Sequence, residues 1–176
     1  LNINFGVEVD IRAYGSDLIL SHDPFKDGEK LVDYLDNYNH GTLVLNIKEA
    51  GIEDSVLALL EQRSYIKSFF LLDVEFPYLY KASREGERNL AIRFSEDECI
   101  ETVEKYIGLV KWVWIDTNTV LPINKSNIKV LDNFSKCVVC PERWNRAKDI
   151  FIYKKMLDQN NIRVEAVMTS LECASM

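Results

Sequence analysis

The sequence predicts an α/β fold, with a parallel β-sheet covered by helices. Two observations carry that prediction. Short runs rich in β-branched and aromatic residues recur along the chain, most of them starting about 20 to 27 residues apart, the length of one strand–loop–helix unit. Between them lie stretches whose apolar residues return every three or four positions, the spacing of a helix with one buried face. Such alternation implies parallel strands with helices as crossovers.

The strand runs, in order, are GVEVDIR (6–12), TLVLNIK (42–48), SFFLLDV (68–74), LAIRFS (90–95), KWVWIDT (111–117), KCVVCPE (136–142) and RVEAVMT (163–169). The first interval is longer than the others. It contains an extra apolar run, Leu18 to Leu20, which reads as an insertion before His22. Helical patterns fit KLVDYLDNY, IEDSVLALLEQ, EFPYLYKASREG, EDECIETVEKYI and DIFIYKKMLDQNN. In EDSVLALLEQ the acidic residues come first, where they complement the positive end of a helix dipole. Seven strands are countable. A closed (β/α)8 barrel has eight and typically about 250 residues, with about 200 near its lower limit. Spacing alone therefore leaves two options: an open sheet, or a barrel whose first strand precedes Leu1. No Pro- or Gly-rich linker interrupts the chain, so residues 1–176 read as one domain.

Composition narrows the function classes. The 176 residues are 47% hydrophobic and 28% charged, ordinary for a globular chain. A formal charge of −7 argues against nucleic acid or an anionic membrane as partner, since both require a basic face. No apolar run approaches the ~20 residues of a membrane-spanning helix, and no segment with signal-peptide character opens the chain. No membrane insertion and a cytoplasmic location are the resulting expectations; the oligomeric state is left open. Four cysteines are too few for a disulfide scaffold at this length. Cys137 and Cys140 form a CxxC, but in an apolar strand they face opposite sides, and no second pair completes a zinc site. Packing in the core is the expectation there.

In a parallel α/β sheet, functional groups gather where strands end. Here those ends carry Glu8, Asp10 and Arg12; Asn46 and Lys48; Asp73 and Glu75; Arg93 and Ser95; then Asp116, Glu142 and Thr169. Asp116, Ser95 and Thr169 suit either a site or a helix cap. Glu8 and Asp10 lie two apart and so share a strand face, as do Asn46 and Lys48. Two like charges on one face repel unless a cation joins them. Either Arg12 or Lys48 bridges them, or a metal ion does, and hard oxygen donors select Mg²⁺ or Ca²⁺. His22-Asp23-Pro24 follows close behind, which is either a turn or a proton-transfer group at the same rim.

These segments, GVEVDIR…LILSHDPF followed by LVLNIK, resemble the glycerophosphodiester phosphodiesterase family of phosphatidylinositol-phospholipase-C-like TIM-barrel enzymes. The resemblance is specific within the first 50 residues and architectural beyond Lys48. It implies a (β/α)8 TIM barrel that hydrolyses a small-molecule phosphodiester to an alcohol and a phosphomonoester with a divalent metal ion, Mg²⁺ or Ca²⁺. Carried over residue by residue, it makes Glu8 and Asp10 metal ligands, His22 a catalytic histidine and Lys48 a catalytic lysine. Asn46 falls where the family has a third metal-binding carboxylate. Arg12, Trp114 and Asp116 are candidates for contact with substrate. The family's opening His-Arg-Gly strand has no match here, and its absence would also account for the eighth strand missing from the count. The alternative expectation is a barrel that binds a phosphoglycerol or sugar phosphate without cleaving it.

Overall fold

Every one of the seven expected runs forms a strand. In a computed structural model of the chain, which describes residues 5–170, the strands hydrogen-bond in two four-stranded sheets. The chain divides between Ala82 and Ser83 into two compact units, one sheet in each. The α/β class with parallel pairing is thus present, and the pairing observed is within each sheet.

In the first unit the sheet order is β2-β1-β3-β4, with β1 Val7–Tyr14, β2 Asp17–Leu20, β3 Leu43–Ile47 and β4 Phe69–Leu72. Strands β1, β3 and β4 run parallel, while β2 pairs antiparallel with the far half of β1, from Ile11↔Leu20 to Tyr14↔Asp17. The insertion before His22 is therefore an eighth strand. It folds back through a two-residue turn that starts at Gly15, whose φ of 62° suits a tight hairpin. Helices α1 (Leu31–Asp36) and α2 (Glu53–Glu61) follow β2 and β3, and α3 (Phe76–Glu85) follows β4. Leu31 and Leu35, four apart on α1, are fully buried, as are Leu43 and Leu45 of β3 and Phe70, Leu71 and Leu72 of β4. Each such side chain contributes roughly 1.5–3 kcal/mol of transfer free energy. Gly6 sets how β1 enters the sheet. A Cβ there would lie 2.4 Å from the Thr42 carbonyl oxygen, which accepts the Val7 N–H at 3.0 Å. Glycine permits that approach, and the register of Glu8 and Asp10 follows from it.

The second unit is wholly parallel, in the order β5-β6-β7-β8: Ala91–Phe94, Trp112–Ile115, Ser135–Val139 and Ala166–Met168. Its helices are α4 (Ile100–Glu104), α5 (Ile128–Leu131) and α6 (Asp149–Gln159). Strand β6 is buried along its whole length, as expected of a central parallel strand. Helix α5 and a 3₁₀ turn at Pro141–Trp144 have no counterpart in the sequence pattern, because four residues are too few to show a period. Among the described residues, no helix is long and apolar enough to cross a membrane.

Candidate functional site

The period of a strand and the register of β1 on β3 bring four expected residues together. Asp10 lies directly opposite Asn46, and Glu8 opposite Val44. Glu8, Asp10, Asn46 and Lys48 therefore share one face: Asn46 and Lys48 at the end of β3, and Glu8 and Asp10 beside it in the first half of β1, which runs on to Tyr14 rather than ending at these acids. Ile11 and Ile47, one step away, point to the other side and are buried. Asn46 Nδ2 donates to Glu8 Oε1 at 2.8 Å, and Lys48 Nζ pairs with Asp10 Oδ1 at 3.0 Å.

The balance of charge at this rim remains negative. Burial pushes the Glu8 carboxyl above its ordinary pKa; the Asn46 hydrogen bond opposes that, Asp10 and Asp73 add to it, and the Lys48 ammonium does not restore it. The Asn46 amide is committed in one direction, since only its NH₂ can satisfy a carboxylate. Its Oδ1 is consequently left buried without a hydrogen-bond partner, on a residue 7% exposed. Leaving a buried acceptor unmatched costs about 1–3 kcal/mol, so the position asks for a donor or a cation. Glu8, Asp10 and the Asn46 amide oxygen are hard oxygen donors of the kind Mg²⁺ or Ca²⁺ takes. They fit a divalent ion in chemistry, though among the described residues no group of three or more His, Cys, Asp or Glu side chains is arranged to hold a metal.

Arg12 braces the rim. Its Nε donates to the His22 carbonyl and its Nη1 to the Lys48 carbonyl, each at 3.0 Å, and Nη1 lies 3.7 Å from Glu49 Oε2. Glu49 Oε1 accepts the Ala13 N–H at 2.7 Å. The guanidinium, expected to meet substrate, is thus engaged with the backbone that carries both His22 and Lys48. The His22 ring is itself largely exposed, and its Nδ1 lies 3.0 Å from Asp23 Oδ1. Asp23 also takes the Lys26 ammonium at 2.6 Å, and the His22 and Lys26 contacts hold its carboxyl down at about 2. An ionised Asp23 on Nδ1 leaves Nε2 as the ring nitrogen free to exchange a proton.

Trp114 and Asp116 belong to the second unit, two apart on one face at the end of β6. Trp114 Nε1 donates to Asp116 Oδ1 at 3.1 Å, and Arg93, from β5, pairs with Asp116 Oδ2. Burial still raises the Asp116 carboxyl, against the pull of Arg93 and the Trp114 hydrogen bond. No capping role is seen for Asp116. Ser95 serves a local turn, accepting the Asp97 N–H and donating to Glu98, while Thr169 Oγ1 donates to Glu142 Oε1 at 2.7 Å.

Sequence reasoning noted Asp73 as a strand-end carboxylate without assigning it to the site. Its charge acts on Glu8, and its φ is 59°, an unusual backbone state that Asp tolerates better than most. Its place at the exit of the strand next to β3 was the available signal. Glu49 and Asp23 were missed as partners because only the fold brings Arg12 to Glu49, and only local geometry turns Asp23 onto His22. His40 sits in the loop entering β3, at the end opposite Lys48. Among the described residues Cys137 and Cys140 form no disulfide; both are buried, and burial first, then the Glu142 carboxylate, pushes the Cys140 thiol up to about 11. Trp112 packs in the core, whereas Trp144 is exposed. The chain matches no family model, no curated protein and no solved structure.

Proposed function

We propose that this chain is a metal-dependent phosphodiesterase of TIM-barrel type, acting on glycerophosphodiesters or a related small phosphodiester. The observation that supports it best is the rim of β1 and β3: two carboxylates on one face, beside a buried amide oxygen that lacks a partner, with one ammonium group next to them. When bound by Glu8, Asp10 and Asn46, a Mg²⁺ or Ca²⁺ ion supplies Lewis-acid polarisation of a nonbridging phosphoryl oxygen.

The chain's own residues supply the rest of the chemistry. Lys48 meets the charge that grows on the phosphoryl oxygens as the bond to the leaving alcohol breaks. His22 moves the proton through Nε2, with Asp23 holding Nδ1 and stabilising the imidazolium. Arg12 keeps the backbone of His22 and Lys48 at one rim. The attacking group is a hydroxyl neighbouring the phosphodiester on the substrate, as the family resemblance implies. Its oxygen bonds to phosphorus and closes a cyclic phosphate as the alcohol leaves carrying a proton, and water then opens the cycle to the phosphomonoester.

The test is release of free alcohol from simple glycerophosphodiesters, assayed with Mg²⁺ or Ca²⁺ and again after chelation. Metal-dependent release supports the reading; absence of release at any metal concentration removes it. Asn46 favours a second reading. An amide brings no charge to the donor set, and a site with two carboxylates holds a divalent ion less tightly than one with three. On that reading the chain binds a phosphoglycerol or sugar phosphate, and the same ligands give saturable binding with no turnover.

A further inference from the structure

The three oxygen donors at this rim are not equally ready for a cation. Asn46 Oδ1 is buried with no partner, and it sits on a side chain whose other end is already tied to Glu8. Asp10, by contrast, is occupied: Lys48 Nζ lies 3.0 Å from its Oδ1, with the two side chains 19% and 25% exposed. The Lys48 backbone is fixed, its N–H donating to Ile11 O at 3.1 Å and its carbonyl accepting from Arg12. The ammonium rides on a flexible four-carbon stem, so it can leave Asp10 without any change in the sheet. An ammonium and a divalent ion cannot share one carboxylate at this range without strong repulsion.

We infer that Lys48 is an exchangeable internal counter-ion, which pairs with Asp10 when no divalent cation is bound and gives that carboxylate up when one binds. The inference rests on the metal-site reading above and adds a regulation to it. The displaced ammonium then stands free at the rim, where it meets an oxyanion. Cation and phosphate therefore favour each other's binding, each by the same factor. Before the cation arrives, the site holds its charge down at the expense of affinity for the metal.

The test is calorimetric titration of the chain with MgCl₂ and with CaCl₂ in chelator-treated buffer, comparing the parent with Lys48→Met and Lys48→Arg. Lys48→Met is expected to bind the cation about tenfold more tightly, because removing the ammonium removes both the competitor and the repulsion. Lys48→Arg, which keeps the charge and grips a carboxylate with two donors, is expected to bind no more tightly than the parent. The Met gain is expected to vanish when Asp10→Asn is added. Should Lys48→Met melt early, the same affinities are read from the rise of Tm with CaCl₂. Equal or weaker cation binding by Lys48→Met overturns the inference. If the parent binds cation and releases alcohol while Lys48→Met shows no gain, the inference alone fails. If Lys48→Met shows the gain but the parent releases no alcohol, the exchange stands and the diesterase reading fails. If no variant binds a cation, both fail.

Discussion

Two carboxylates invite comparison: Asp10, within β1 of the first unit, and Asp116, just past β6 in the second. Each lies two residues after a side chain on its own face, Glu8 in one case and Trp114 in the other. Asp116 has a partner on each oxygen, the Arg93 guanidinium and the Trp114 indole N–H. Asp10 has a lysine and a second acid for a neighbour, and the amide across from it keeps an unmatched oxygen. Both rims bury charge, but the second is closed by its own side chains, whereas the first is left short of positive charge. The Asp116 pair is completed within its own unit, whereas the first rim leaves a buried acceptor unmatched, which is the feature the proposed metal site rests on.

That contrast can be broken or sharpened by mutation. The largest expected effect is on catalysis. On the proposed diesterase reading, His22→Ala is expected to lower diester turnover by roughly 10²–10⁴-fold, the range for general acid–base help, with an unchanged circular dichroism spectrum because the ring is exposed. Parental rates in that variant would remove the first rim from the chemistry. Next comes Arg93→Ala, which leaves Asp116 buried without its cation. We expect a loss of about 2–3 kcal/mol in urea unfolding, below the full cost for a wholly buried pair because Arg93 is partly exposed. A neutral result would mean that the second rim is not the closed structural pair described above.

A smaller loss, about 2 kcal/mol, is expected for Gly6→Ala, whose methyl group would press on the Thr42 carbonyl and force β1 away from β3. Its cation affinity should fall with its stability, since the same shift moves Glu8 and Asp10. The smallest effect is that of Glu8→Gln in chelated buffer. The folded-state pKa of Glu8 is raised, so the folded chain binds the proton more tightly than the unfolded chain does. Its contribution is therefore most favourable below the unfolded value near 4.5 and is lost as pH rises through the folded pKa. Glu8→Gln, which keeps an oxygen for Asn46, should melt slightly higher than the parent at pH 7, and the difference should close as pH falls below about 4.5. An advantage that grows on acidification would show the opposite linkage.

Much of this was legible in the sequence, and the reasons are local. The strands over 42–48 and 111–117 are continuous apolar runs ended by polar residues, and each became a buried strand with those polar residues at its exit. In the sequence the strand Asp17–Leu20 shows only as an inserted apolar run, because four residues reveal that a segment is apolar but not what it pairs with. Helix α5 was missed for a similar reason, being a single turn. Arg12 shows the limit most clearly. Nothing in the sequence shows that its donors meet the carbonyls of His22 and Lys48, the latter 36 residues away.

The sequence by itself determined the alternation of strand and helix and the placing of Glu8 with Asp10, and of Asn46 with Lys48, each on one face. Those follow from the two-residue period of a strand, which needs no knowledge of neighbours. Only the tertiary structure decided that Lys48 meets Asp10, that Asn46 turns its amide N–H₂ to Glu8, and that an oxygen is left over. Those depend on the register of β1 against β3, and a slip of one residue would send the whole set to the other side of the sheet.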